Sequence, residues 1–146
     1  MTRTTRYQGA IIRDHHILLI THREHSTGRT YWLIPGGGIE PGESEEDCVI
    51  REMREETSLE VRVERLLLDE QGGEGRMYRF YKTYLCTPLS GEAAPGYEPE
   101  PEAAANYSIS SVDWFDLRQP LAWGHAVISD TITYPQLLRI RAALGY

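Results

Sequence analysis

Three carboxylates, Glu52, Glu55 and Glu56, stand at a spacing that a helix turns into one cluster. At 100° per residue they share an arc of about 100°. Grouped carboxylate oxygens suit hard divalent cations such as Mg²⁺ and Mn²⁺, or proton transfer at a reacting centre. On a solvated helix face the same triplet would only repel itself, by roughly 0.3 kcal/mol per i,i+4 pair. The preceding residues favour chemistry. Pro35-Gly36-Gly37-Gly38 offers backbone that can approach a ligand closely, because no side chain intervenes. Its carbonyls add neutral oxygen donors to the charged ones. A phosphate cradle of the P-loop or dinucleotide kind is excluded: no Gly-Lys-Ser/Thr follows, and Pro41 replaces the third glycine of G-x-G-x-x-G.

These residues need a helix behind the glycines. Ser44 has the chemistry of an N-cap, and Glu45, Glu46 and Asp47 suit the first turn. The pattern predicts a helix to about Thr57, with Val49, Ile50, Met53 and Thr57 as the buried stripe. Tyr7–Arg13 and Ile17–His22 read as a hairpin around Asp14-His15-His16, followed by a polar loop to Thr30 and a short strand Tyr31–Ile34. Further strands are expected at Leu59–Leu68, Met77–Thr87 and Ile109–Phe115, with loops at Asp69–Arg76 and Pro88–Asn106. A C-terminal helix is expected over Thr133–Leu144. The order is α+β, and 146 residues suit one domain spanning 1–146.

Composition bounds the function. The net charge is −7, and the segment Glu40 to Glu56 holds eight acids against Arg51 and Arg54. That argues against a general nucleic-acid binder. The longest strictly aliphatic run, Ile17–Ile20, is far too short to span a membrane. Cys48 and Cys86 form neither a metal knuckle nor a disulfide framework. A cytoplasmic enzyme is the expectation, and a homodimer stays open.

From Gly37 the chain runs five residues to Glu43, seven more to Arg51, then Arg51-Glu52-Met53-Arg54-Glu55-Glu56-Thr57-Ser58-Leu59. This resembles the Nudix box, with Ser58 in place of its usual glycine. Trp32-Leu33-Ile34-Pro35-Gly36-Gly37 is similar to that family's lead-in, and Val112-Asp113-Trp114-Phe115 to its late strand. The resemblance implies an α/β/α sandwich with a mixed sheet. It further implies a Mg²⁺- or Mn²⁺-dependent pyrophosphohydrolase that cleaves a nucleoside diphosphate linked to another group, by water attack at phosphorus. Glu52, Glu55 and Glu56 would be catalytic and, with the carbonyl of Gly36, would hold the metal. Glu43 and Arg51 would tie helix to loop, with Gly37 shaping it.

The catalytic base is either Glu52 or a late-loop glutamate, Glu98, Glu100 or Glu102. The small-molecule substrate would be a nucleoside triphosphate, a nucleotide sugar or a dinucleoside polyphosphate. Candidate substrate contacts are Arg23, Arg29, Trp32 and Tyr78. For Trp32 and Tyr78, packing is the competing role. Cys48 reads as a small packed residue, and the five histidines have no ligand spacing. The alternative function is a non-catalytic nucleotide sensor, which intact box carboxylates disfavour.

Overall fold

The computed structural model describes residues 4–73, 77–97, 104 and 106–146. A two-residue turn joins β1 (Thr5–Arg13) to β2 (His16–Glu24), with Asp14 and His15 both at positive φ. That backbone matches the twist of the flanking strands, and Asp tolerates it. β3 (Thr30–Leu33) pairs with the end of β2. The two residues Gly36–Gly37 form β4 against Tyr7 and Gln8 of β1. Helix α1 (Glu45–Thr57) follows. Then come β5 (Glu60–Gln71), β6 (Phe80–Ser90) and β7 (Tyr107–Asp116). After a 3₁₀ turn at Pro120–Ala122, α2 (His125–Ile128) and α3 (Thr133–Ala143) close the chain.

The sheet order is β3-β2-β1-β6-β5, with β7 on the other edge of β2. β1 runs parallel to β6, and the other pairs are antiparallel. β1 stays beside β2 only at Ile12 and Arg13; β3 then takes its place on that edge. The sheet therefore opens, and β4 occupies the opening beside β1. Alternation along the strands fills two cores. Tyr7, Ile11 and Leu18 pack with Val49 and Met53 of α1, whereas Ala10, Ile17 and Leu19 pack with Leu137 and Ile140 of α3. This is the expected α+β sandwich.

Several boundaries differ from the sequence reading. β5 continues to Gln71, so its loop begins later than Asp69. β6 starts at Phe80 and carries Pro88 inside it, opposite Val61 where the register shifts. Pro lacks the ladder N–H, and an irregular register accommodates it. β4 and α2 are too short to leave a periodic signal. On α1, Ile50 is only half-buried, and Glu52 and Glu56 are buried instead. No helix among the described residues is long and apolar enough to cross a membrane.

Candidate active site

Ser44 caps α1, its side chain accepting from the Asp47 N–H at 3.1 Å. At the other end Ser58 adopts φ 67°, the left-handed conformation that glycine takes there without cost. The chain beyond β6 supplies further caps. The N–H groups of Ala94, Gly96 and Tyr97 donate to the carbonyls of Thr57, Glu56 and Glu55 at 2.9, 3.0 and 3.0 Å. A Cβ on Gly96 would lie 1.7 Å from the Glu55 carbonyl oxygen, so only glycine permits this seat. The helix carrying the glutamates is thus fixed at both ends.

Arg51 organises the side chains. Its Nε and Nη2 donate to the two oxygens of Glu43 at 2.7 and 3.0 Å. Nη2 also reaches the Gly38 carbonyl at 3.1 Å, and Nη1 reaches Glu52 and Glu55, each at 3.1 Å. The fork and its fixed plane suit this multiple role, which an ammonium could not fill. Glu43 in turn accepts from the Glu40 N–H at 3.1 Å and is held below the usual carboxylate range, chiefly by Arg51. Through these bonds Arg51 and Glu43 join the helix to the glycine loop.

Glu52 and Glu56 are 6 % and 1 % exposed, unusual for carboxylates. Burial pushes both well above the ordinary carboxylate range; for Glu52 the Glu56 charge adds to this, and Arg51 opposes it. Glu56 accepts from the Gly36 N–H at 2.6 Å. A Cβ on Gly37 would fall 2.4 Å from Glu52 Oε1, so the helix carboxylate sits directly on bare backbone. The glycines were expected to approach a ligand; here they also make room for the acids.

The donor set is oxygen only, the chemistry of a hard divalent cation. In the geometry described, Glu52 and Glu55 turn toward Arg51, and Glu56 toward Gly36. Among the described residues no three acidic, thiol or imidazole side chains converge as a ready-made metal cage. The residues fit such an ion by type and burial. Glu52 and Glu55 each give Nη1 a single oxygen, which leaves the other for such an ion.

Other candidates are distributed unevenly. Trp32 stacks edge-on against Phe115 with ring centres 5.1 Å apart, and its carbonyl accepts from Thr133. It belongs to the second core. Arg23 and Arg29 are exposed at the end of β2 and on the loop after it. Tyr78 lies edge-on to Tyr81 and covers the Arg6 guanidinium at 6.0 Å. Cys48 is fully buried in the first core. Glu98, Glu100 and Glu102 lie outside the described residues.

Two residues near the carboxylates escape sequence reading. His22 Nε2 lies 3.7 Å from Glu56 Oε2, and its ring stands between Tyr31 and Tyr107 at 5.9 and 5.8 Å. These three come from neighbouring strands, so no spacing along the chain betrays them. Arg6 is the other.

The NUDIX domain profile matches residues 3–133. The chain belongs to the Nudix family. This Nudix chain is 35 % identical over 100 residues to putative nudix hydrolase 1 of Caenorhabditis elegans, covering 68 % of this chain and 26 % of that protein. It is 30 % identical over 96 residues to the putative ADP-ribose pyrophosphatase YjhB of Bacillus subtilis, 62 % of this chain and 44 % of the relative. It therefore spans less than half the length of these curated relatives. Among solved structures, an ADP-ribose pyrophosphatase from Streptococcus suis superposes with a TM-score of 0.71 at 22 % identity, covering 99 % of this chain and 94 % of the other. At that identity the likeness shows the Nudix fold alone.

Proposed function

We propose that this Nudix domain, acting as one unit, is a Mg²⁺- or Mn²⁺-dependent pyrophosphohydrolase. It would cleave a nucleoside diphosphate linked to another group. The observation that carries this reading is the pair of buried carboxylates, Glu52 and Glu56, seated against Gly36 and Gly37 with Glu55 beside them. Acids placed there at the cost of desolvation need a compensating cation, and a structural role would have been filled better by apolar residues.

Glu52, Glu55, Glu56 and the Gly36 carbonyl would hold the ion. When bound, it neutralises diphosphate charge and lowers the pKa of a coordinated water. Glu52 would accept the proton of the attacking water, its basicity raised by burial and tempered by Arg51. Arg51 and Glu43 keep α1 in register with the glycine loop, so the acids do not drift from the phosphorus. The nucleoside and its linked group fall to the strand ends and loops around this centre. Among nucleoside triphosphates, nucleotide sugars and dinucleoside polyphosphates, the name of the Bacillus subtilis relative favours ADP-ribose.

The test is a nucleotide panel assayed with Mg²⁺ and again with chelator, in ¹⁸O-labelled water. The expected result is cation-dependent release of a nucleoside monophosphate, with label on phosphate. Label on carbon would sink the mechanism. Tight nucleotide binding with no turnover would replace hydrolysis by sensing.

A further inference from the structure

Arg6 shares with Gln8 and Ala10 the face of β1 turned away from Tyr7 and Ile11. It is only 8 % exposed. Its Nε donates to Gln8 Oε1 at 3.2 Å and its Nη2 to the Ile34 carbonyl at 2.9 Å. Gln8 is itself held by donating to Thr83 Oγ1 at 3.0 Å. A buried chain of hydrogen bonds therefore fixes the plane of the guanidinium. Both its acceptors are neutral. Among the described residues no carboxylate comes within ion-pair reach of Arg6, and Nη1 has no hydrogen-bond partner. A buried charge is normally paired, so this fork is set in place before its anion.

The surroundings say where that anion would lie. The Arg6 charge is felt at Glu52, at Glu56 and at the Tyr31 hydroxyl. Its bond to the Ile34 carbonyl sets it at the opening of the sheet, next to where β4 lies on Tyr7 and Gln8 of β1. The Tyr78 ring covers it at 6.0 Å.

We propose that Arg6 is a substrate-binding residue whose Nη1 donates to a diphosphate oxygen. This rests on the pyrophosphohydrolase reading. A diphosphate carries more negative charge than the ion held by the acids would neutralise, and a fixed guanidinium takes up the remainder. Arginine suits this role better than lysine, because Nε and Nη2 anchor the fork while Nη1 stays presented. The competing role is structural, with Arg6 merely pinning Ile34 ahead of the glycine loop.

Pyrophosphate is the probe, titrated calorimetrically into the whole protein with Mg²⁺ present, for wild type, Arg6→Lys and Arg6→Gln. Loss of a charge-assisted hydrogen bond predicts that Arg6→Gln weakens pyrophosphate binding about tenfold or more. It should raise KM by a similar factor with a smaller change in kcat, and Arg6→Lys should recover part of both. A folded Arg6→Gln that binds pyrophosphate as wild type does overturns the proposal, as does a wild type that does not bind it. Where Arg6→Gln fails to fold, the ¹⁵N guanidinium resonances of the wild-type protein decide. Pyrophosphate should shift those of Arg6, and unchanged resonances at saturation overturn it. A wild type that binds pyrophosphate through Arg6 yet hydrolyses no nucleotide would retain this inference and remove the hydrolase reading.

Discussion

A guanidinium with every nitrogen engaged holds the centre of the site, and the acids around it differ in what they can lose. Glu43 grips Arg51 through both oxygens, whereas Glu52 and Glu55 each use a single one. Glu52→Gln should lower turnover by about 10²-fold or more, since on the proposed mechanism it removes both a cation donor and a base. A steady-state assay at saturating Mg²⁺ checks this. If Glu52→Gln keeps wild-type kcat, the base lies elsewhere in the chain. Gly37→Ala should also depress kcat, by about tenfold or more, because its methyl would meet Glu52 Oε1 at 2.4 Å. An unchanged kcat would show that the carboxylate moves freely. Glu43, Arg51 and the three glutamates were legible in sequence because one helix and its lead-in carry them all. Arg6 and His22 were not. Each lies on a strand whose neighbours are set by sheet pairing, and neither stands at a fixed spacing from the box.

At the level of elements, α1 is the part whose every signal was local. Ser44, the acidic first turn and the stripe of Val49, Met53 and Thr57 all agree with the helix observed. What the wheel could not tell was which acids lie under the glycine loop, because that depends on β4, a two-residue strand without periodicity. The exit of α1 is testable. Ser58 adopts a left-handed conformation that costs a non-glycine residue about 1 kcal/mol. Ser58→Gly should therefore stabilise the protein by up to that amount, less the entropy glycine returns to the unfolded chain. Urea unfolding measures it, and a destabilised variant would show that the Ser58 hydroxyl bond to the Ala94 carbonyl matters more. The seat of residues 94–97 on the last carbonyls was invisible in sequence, since a Pro- and Gly-rich stretch announces only a loop. Its prediction concerns Gly96. Gly96→Ala should lower thermal stability and turnover together, because the methyl can enter only by displacing the loop from Glu55. Wild-type values for both would show that the seat is dispensable.

For the molecule as a whole, two buried carboxylates set a dependence on pH. Their pKa values are raised in the folded state, so between the ordinary carboxylate range near 4.5 and the raised values the native protein binds more protons than the unfolded chain. Stability is then fully present below that ordinary range and falls as pH climbs through the raised values. Chelator-treated protein should melt at lower temperature at pH 8 than at pH 5.5. Divalent cation should remove most of that slope by binding the ionised acids, and should stabilise by mass action. A cation-independent slope would show that these acids do not bind the ion.

The posture of Arg51 has a consequence for the order of events in the protein's life. With Nη1 bridging Glu52 and Glu55, a permanent positive charge already occupies the ground between two of the acids. On the proposed function, the newly made chain would complete its fold before any ion arrives, and scarcity of divalent cations should idle the domain rather than denature it. The guanidinium would stay tethered to Glu43 whether or not an ion is bound.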